Sequence, residues 1–135
     1  MVRKIFILII CLFVCLGSYS QTNDSEYWEK TINAIVQVES EGKTHVVNGS
    51  CAGPMQISTI LIAECNNILK KKKLKKRYSL SDRYSLSKSK EIFILIQQTY
   101  NKARNIEKAI RSWNGGINYS VSKTNKYYRK VMKWM

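Results

Sequence analysis

The sequence predicts a mainly α, single-domain protein, and three observations carry that prediction. Apolar side chains recur at three- and four-residue spacing in five separate stretches. No stretch shows the apolar–polar alternation of a half-buried strand. The chain has 135 residues, enough for one hydrophobic core and too few for a second module.

The N-terminal end reads as a targeting segment. Val2-Arg3-Lys4 is basic, Ile5 to Leu16 is uninterruptedly apolar, and Ser18-Tyr19-Ser20 offers small residues before a cleavage point near Gln21. The apolar run is shorter than the roughly 20 residues of a spanning helix. We read residues 1–20 as a signal peptide and residues 21–135 as the exported domain, bound for the periplasm or cell envelope.

Of the 23 basic residues, Arg3 and Lys4 leave with that segment; 21 remain against nine acids, a net charge of +12. Such a balance selects polyanionic partners, and export sets nucleic acid aside in favour of wall polymers or lipid phosphate. Lys70 to Arg77 concentrates the charge, with Leu74 the only interruption. It is read as a solvated helix end that could hold the protein against an anionic wall or membrane surface.

The first helix is expected from Tyr27, capped by Asp24 or Ser25. Trp28, Ile32, Ile35 and Val36 form its apolar stripe. Glu39 lies seven, four and three positions after the last three of these and so shares their face. A carboxylate there loses hydration, and its pKa should rise, as a general acid requires; the bland alternative is a helix-end glutamate reaching out to water. Glu41-Gly42 ends the helix, and Lys43 to Ala52 reads as a polar loop.

Gly53-Pro54-Met55-Gln56-Ile57 leads to a second helix entered at Ser58-Thr59, with Ile62, Cys65, Ile68 and Leu69 among its apolar residues. Tyr78 to Ser87 is a connection. Ser87 or Ser89 is expected to cap a third helix carrying Ile92, Phe93, Leu95, Ile96 and Tyr100. Asn105 caps a fourth, with Ile106, Ala109, Ile110 and Trp113 on one face and Asn114-Gly115-Gly116 ending it. A last helix, about Thr124 to Trp134, presents Tyr127, Tyr128, Val131 and Trp134.

The remaining cysteines, Cys51 and Cys65, could pair across a short loop or stay as two small buried thiols; both readings stand. With His45 the only histidine and no Cys-x-x-Cys pair, no metal site and no cofactor are expected.

Three separated pieces then line up: Val38-Glu39-Ser40-x-Gly42, Gly53-x-Met55-Gln56-Ile57, and Ala109-Ile-Arg-Ser-Trp-Asn-Gly-Gly116 with Thr124-x-x-Tyr127 behind it. Together they resemble the lytic transglycosylase family, whose catalytic domain has a goose-type-lysozyme-like fold of packed helices around a glycan-binding cleft. The resemblance implies that Glu39 is the catalytic acid and that Ser40 orients substrate. It implies that Met55 and Gln56 line the cleft, that Asn114 faces it, and that Tyr127 is the tyrosine of the terminal motif. Trp113 stands where the family usually has tyrosine, which keeps stacking or core filling and loses a phenol hydrogen bond.

The implied substrate is the MurNAc-β-1,4-GlcNAc bond of peptidoglycan strands, cleaved by a monomer to leave a 1,6-anhydro end. Two-carboxylate glycosidases hold their second acid at ~5 to ~9 Å, and here only Asp82 and Glu64 invite suspicion. The alternatives are a muramidase using the same acid with water, and a non-catalytic cationic wall-binding protein.

Overall fold

The computed structural model describes residues 23–135; the segment read as a signal peptide and its cleavage point lie outside them. Five α-helices carry the described residues: α1 (residues 23–40), α2 (Thr59–Lys71), α3 (Leu86–Tyr100), α4 (Ile106–Gly115) and α5 (Val121–Met132). No described helix is long and apolar enough to cross a membrane.

Local chemistry sets the helix starts. Ser58, Ser85, Asn105 and Ser120 each sit in extended backbone and accept a hydrogen bond from the main-chain N–H three residues on, satisfying a donor that the first turn leaves orphaned. The expected caps at Ser58 and Asn105 are therefore present. The third helix starts earlier than expected, because Ser85 takes the cap and Ser89 is buried one turn in, donating to the Arg83 carbonyl at 3.3 Å. The last helix likewise starts at Val121 and not near Thr124.

Asp24 is not a cap. It lies inside α1, buried, ion-paired with Arg104 and accepting from Gln98 Nε2 at 2.7 Å. Its carboxylate pins the start of α1 to the far end of α3.

The loop expected at residues 43–52 contains two strands. β1 (Val47–Asn48) and β2 (Cys51–Ala52) form a hairpin, and β3 (Ile57–Ser58) pairs antiparallel with β2 to complete a three-stranded sheet. Strands of two residues cannot display an alternation, which is why the pattern was invisible in the sequence. Leu80–Tyr84 is a short 3₁₀ turn in which Asp82 accepts the Ser79 N–H at 2.8 Å.

One core joins the elements. Trp28, Ile32 and Ile35 from α1 meet Ile92 and Phe93 from α3, Cys65 and Ile68 from α2, Ile110 from α4 and Val131 from α5. Trp28 and Phe93 pack edge to face with ring centroids 5.6 Å apart. Cys65 is one of these buried groups, Cys51 is half-exposed in β2, and both are free thiols.

Two close approaches fix how the outer pieces dock. A Cβ on Gly53 (φ +83°) would fall 1.7 Å from the Arg83 carbonyl oxygen, so only glycine lets the loop before β3 lie against the 3₁₀ turn. A Cβ on Gly115 would meet Thr124 Cγ2 at 2.7 Å, so glycine also brings α5 against α4. Arg111, buried on α4, completes that contact. It donates to Glu107 Oε1 at 2.7 Å, to the Val121 carbonyl at 3.1 Å and to Thr124 Oγ1 at 3.2 Å, and it lies 4.3 Å from the Tyr128 ring centroid. With α5 held in this way, Tyr127 projects from the next turn.

Candidate active site

Glu39 is the penultimate residue of α1 and is half-buried. The Tyr127 hydroxyl donates to its Oε1 at 2.7 Å, a contact across 88 positions of sequence. Burial pushes the Glu39 carboxyl pKa up, and the Tyr127 hydrogen bond opposes without reversing the shift. Burial, reinforced by the charge of Glu39 and by the hydrogen bond to it, also raises the Tyr127 phenol pKa, so Tyr127 remains a donor throughout the working range. The pair is thus a carboxyl that keeps its proton to higher pH than usual, oriented by a neutral phenol.

The loop from Gly53 to Ile57 is tied to that acid by its neighbour. Ser40 Oγ is buried and donates to the Val36 carbonyl at 3.1 Å and the Pro54 carbonyl at 2.9 Å. The Ser40 proton, expected to serve in orienting substrate, is thus engaged within the fold, where it sets the loop relative to Glu39. Met55, expected to line the cleft, also faces inward. Its side chain is fully buried in the core and lines no surface, while its carbonyl accepts from Trp113 Nε1 at 3.1 Å.

Gln56 occupies a left-handed conformation (φ +51°). Its Nε2 donates to the Val46 carbonyl at 3.0 Å and the Gly53 carbonyl at 2.9 Å, and its Oε1 accepts from Asn48 at 3.1 Å. The amide expected to meet sugar thus locks the hairpin to the loop, which leaves it one acceptor lone pair for anything else.

Gln56, Trp113 and Asn114 share the wall of an open depression of about 450 Å³ that also takes in Glu64, Tyr100, Ile60 and Ile117. Trp113 is half-buried, its indole 5.2 Å from Phe93 between ring centroids, so it fills core and lines surface at once. Asn114 is exposed at the end of α4. The expected residues accordingly form two groups: Glu39 with Tyr127, and Gln56 with Trp113 and Asn114. The Ser40–Pro54 and Trp113–Met55 hydrogen bonds join them through the loop.

Of the two acids suspected as partners, Asp82 is committed to the 3₁₀ turn, and Glu64 accepts from the Tyr100 hydroxyl in the depression. That bond raises the Tyr100 phenol pKa, with burial and the Glu64 charge adding to it. Sequence reading missed Tyr100 as a polar group because its helical phase marked it as core. Arg111 also went unread, since nothing in Ala109 to Gly116 marks a buried cation. His45 is exposed, bonded to Thr44 Oγ1 at 2.9 Å and stacked on Tyr84. Among the described residues no three His, Cys, Asp or Glu side chains gather as metal ligands.

Compared with known proteins, the chain matches no family model, no curated protein and no solved structure, so the chemistry of the site rests on its own residues.

Proposed function

We propose that the protein is a peptidoglycan lytic transglycosylase in which Glu39 is both the acid and the base. The observation that carries this reading is the Glu39–Tyr127 pair: a half-buried carboxyl of raised pKa at a helix end, held by a phenol hydrogen bond. The ordered motifs around Glu39, Gly53 to Ile57 and Asn114 support it, as does the positive charge that favours an anionic wall.

In this reading Glu39 gives its proton to the glycosidic oxygen as the bond from muramic C1 to that oxygen breaks. The muramic acetamide oxygen supports the electron-deficient C1. The Glu39 carboxylate then removes the proton of the C6 hydroxyl, whose oxygen closes on C1 to give the 1,6-anhydro ring and returns Glu39 to its acid form. A single carboxyl suffices because the substrate supplies both the internal nucleophile and the stabilising group.

Digestion of purified peptidoglycan followed by mass spectrometry tests the assignment. Anhydro-muramyl ends are expected from the parent protein and none from Glu39→Gln. Reducing ends would make the protein a muramidase, and undiminished lysis by Glu39→Gln would remove Glu39 from the chemistry.

A further inference from the structure

The outward side of α5 is charged and unmatched, and the Glu39 chemistry does not use it. The helix contains no Asp or Glu. Thr124, Tyr127, Tyr128 and Val131 recur at three- and four-residue spacing and turn inward: Thr124 and Val131 are buried, Tyr127 meets Glu39, and Tyr128 lies against Arg111. That phase sends Lys123, Lys126 and Lys130 outward as one stripe, with Arg129 beside it and Lys133 in the turn that follows. All five cations are exposed, and none makes an ion pair among the described residues. Like charges three and four positions apart repel, so the stripe is unfavourable until something brings counter-charge to it.

Apolar surface marks the C-terminal end of the stripe. Met135 packs against the core, but Met132 is 41% exposed and Trp134 58%. The Trp134 indole lines a hollow with Lys30, Asn33, Ala34 and Gln37 of α1, none of them acidic. Two partner chemistries fit the lysines, and the apolar groups decide between them. A hydrated polyanion would neutralise the ammonium groups and leave the indole and thioether in water. A bilayer interface answers both, because headgroup phosphates lie at its surface and acyl chains begin just beneath, the level at which tryptophan collects.

We propose that the outer face of α5 docks the protein on an anionic phospholipid bilayer. Lys123, Lys126, Lys130 and Lys133 pair with headgroup phosphates, and Trp134 with Met132 enters the boundary of the acyl chains. No described helix is long and apolar enough to span, so the contact is attachment to a surface, reversible and weakened by salt. It leaves Lys70 to Lys73 and Lys75, at and beyond the end of α2, available to other polyanions. The inference does not depend on the chemistry assigned to Glu39.

The test is co-sedimentation of the exported domain, residues 21–135, which contains every residue of the core, with vesicles of phosphatidylcholine alone or mixed with phosphatidylglycerol. Binding is expected to the mixed vesicles and should be about tenfold weaker or worse to phosphatidylcholine alone. Replacing Lys123, Lys126, Lys130 and Lys133 together by glutamine should cost about tenfold or more, and replacing Lys70 to Lys73 and Lys75 should cost less. All these side chains are exposed, so an unchanged melting temperature verifies the fold of both variants. Tryptophan emission should shift to the blue on the mixed vesicles and be quenched by lipid brominated in its acyl chains. Both signals should vanish in Trp134→Phe, because Trp28 is buried throughout. Unchanged vesicle binding in the α5 variant overturns the proposal, and loss of binding to purified wall in that variant would then give the face to a hydrated polyanion. Emission left unshifted by vesicles that the protein does bind also overturns it.

Discussion

Glu39 carries opposite demands at the level of a single residue, and pH separates them. In the proposed reaction the acid must hold its proton to protonate a leaving oxygen, so cleavage should fall as pH rises through the raised pKa of Glu39. Stability follows the same sign. A carboxyl whose folded pKa lies above its unfolded value contributes stability that is present below the unfolded pKa and is lost as pH rises through the folded one. Glu39→Gln should therefore lower activity by about 10²- to 10⁴-fold while melting at or above the parent temperature at neutral pH. A calorimetric scan beside the activity assay checks both. Tyr127→Phe removes the hydrogen bond that opposes the shift, so the alkaline limb of the pH–rate profile should move to higher pH. Glu39 could be read in the sequence because helical phase alone puts it on the Trp28–Ile35 face. Its partner could be named only through a motif resemblance, since no local rule connects positions 39 and 127. The inward contacts of Ser40 and Gln56 were not legible, because their partners include carbonyls of a loop with left-handed residues and periodicity says nothing about where such carbonyls point.

At the level of elements, the helices were legible and the connections were not. Caps at Ser58 and Asn105 follow from side-chain chemistry, whereas the two-residue strands around residues 47–58 exist because the Gly53 loop folds back on them. That loop depends on the bare Cα of Gly53. Gly53→Ala must relieve both a left-handed backbone and a clash with main chain at Arg83, and should cost on the order of 3 kcal/mol in chemical denaturation. Between α4 and α5 the counterpart is Arg111. Arg111→Met keeps the apolar stem and removes the hydrogen bonds to Val121 and Thr124, and should destabilise by about 1–3 kcal/mol. Because Tyr127 is placed by that helix pair, the same substitution should lower activity at a temperature where the variant is still folded.

Across the whole molecule the dominant quantity is charge, which the composition shows outright and the fold localises. Among the described residues, Lys70 to Lys73 and Lys75 make no ion pair, whereas Lys76 is paired with Glu91 and the Arg77 guanidinium caps nearby carbonyls at 2.6 Å. Such a cluster acts at a distance only while it is unscreened. Sedimentation with purified wall should therefore show binding that weakens between about 0.1 and 1 M salt, as the screening length falls from ~10 to ~3 Å. Replacing Lys70 to Lys73 and Lys75 by glutamine should flatten that dependence and leave turnover of soluble glycan fragments unchanged. What composition could not show is the depression, because its lining comes from three helices, two strands and the loops beside them, whose relative placement is set by packing alone.

The hydrogen bond from Tyr127 to Glu39 also has a meaning in time. A chain synthesised from its N-terminal end presents the acid first and the phenol 88 positions later. Until α5 docks through Gly115 and Arg111, Glu39 lacks the phenol that orients it. In the proposed reaction, competence therefore waits on the C-terminal helix: the acid is oriented for its task only once α5 has packed against α4.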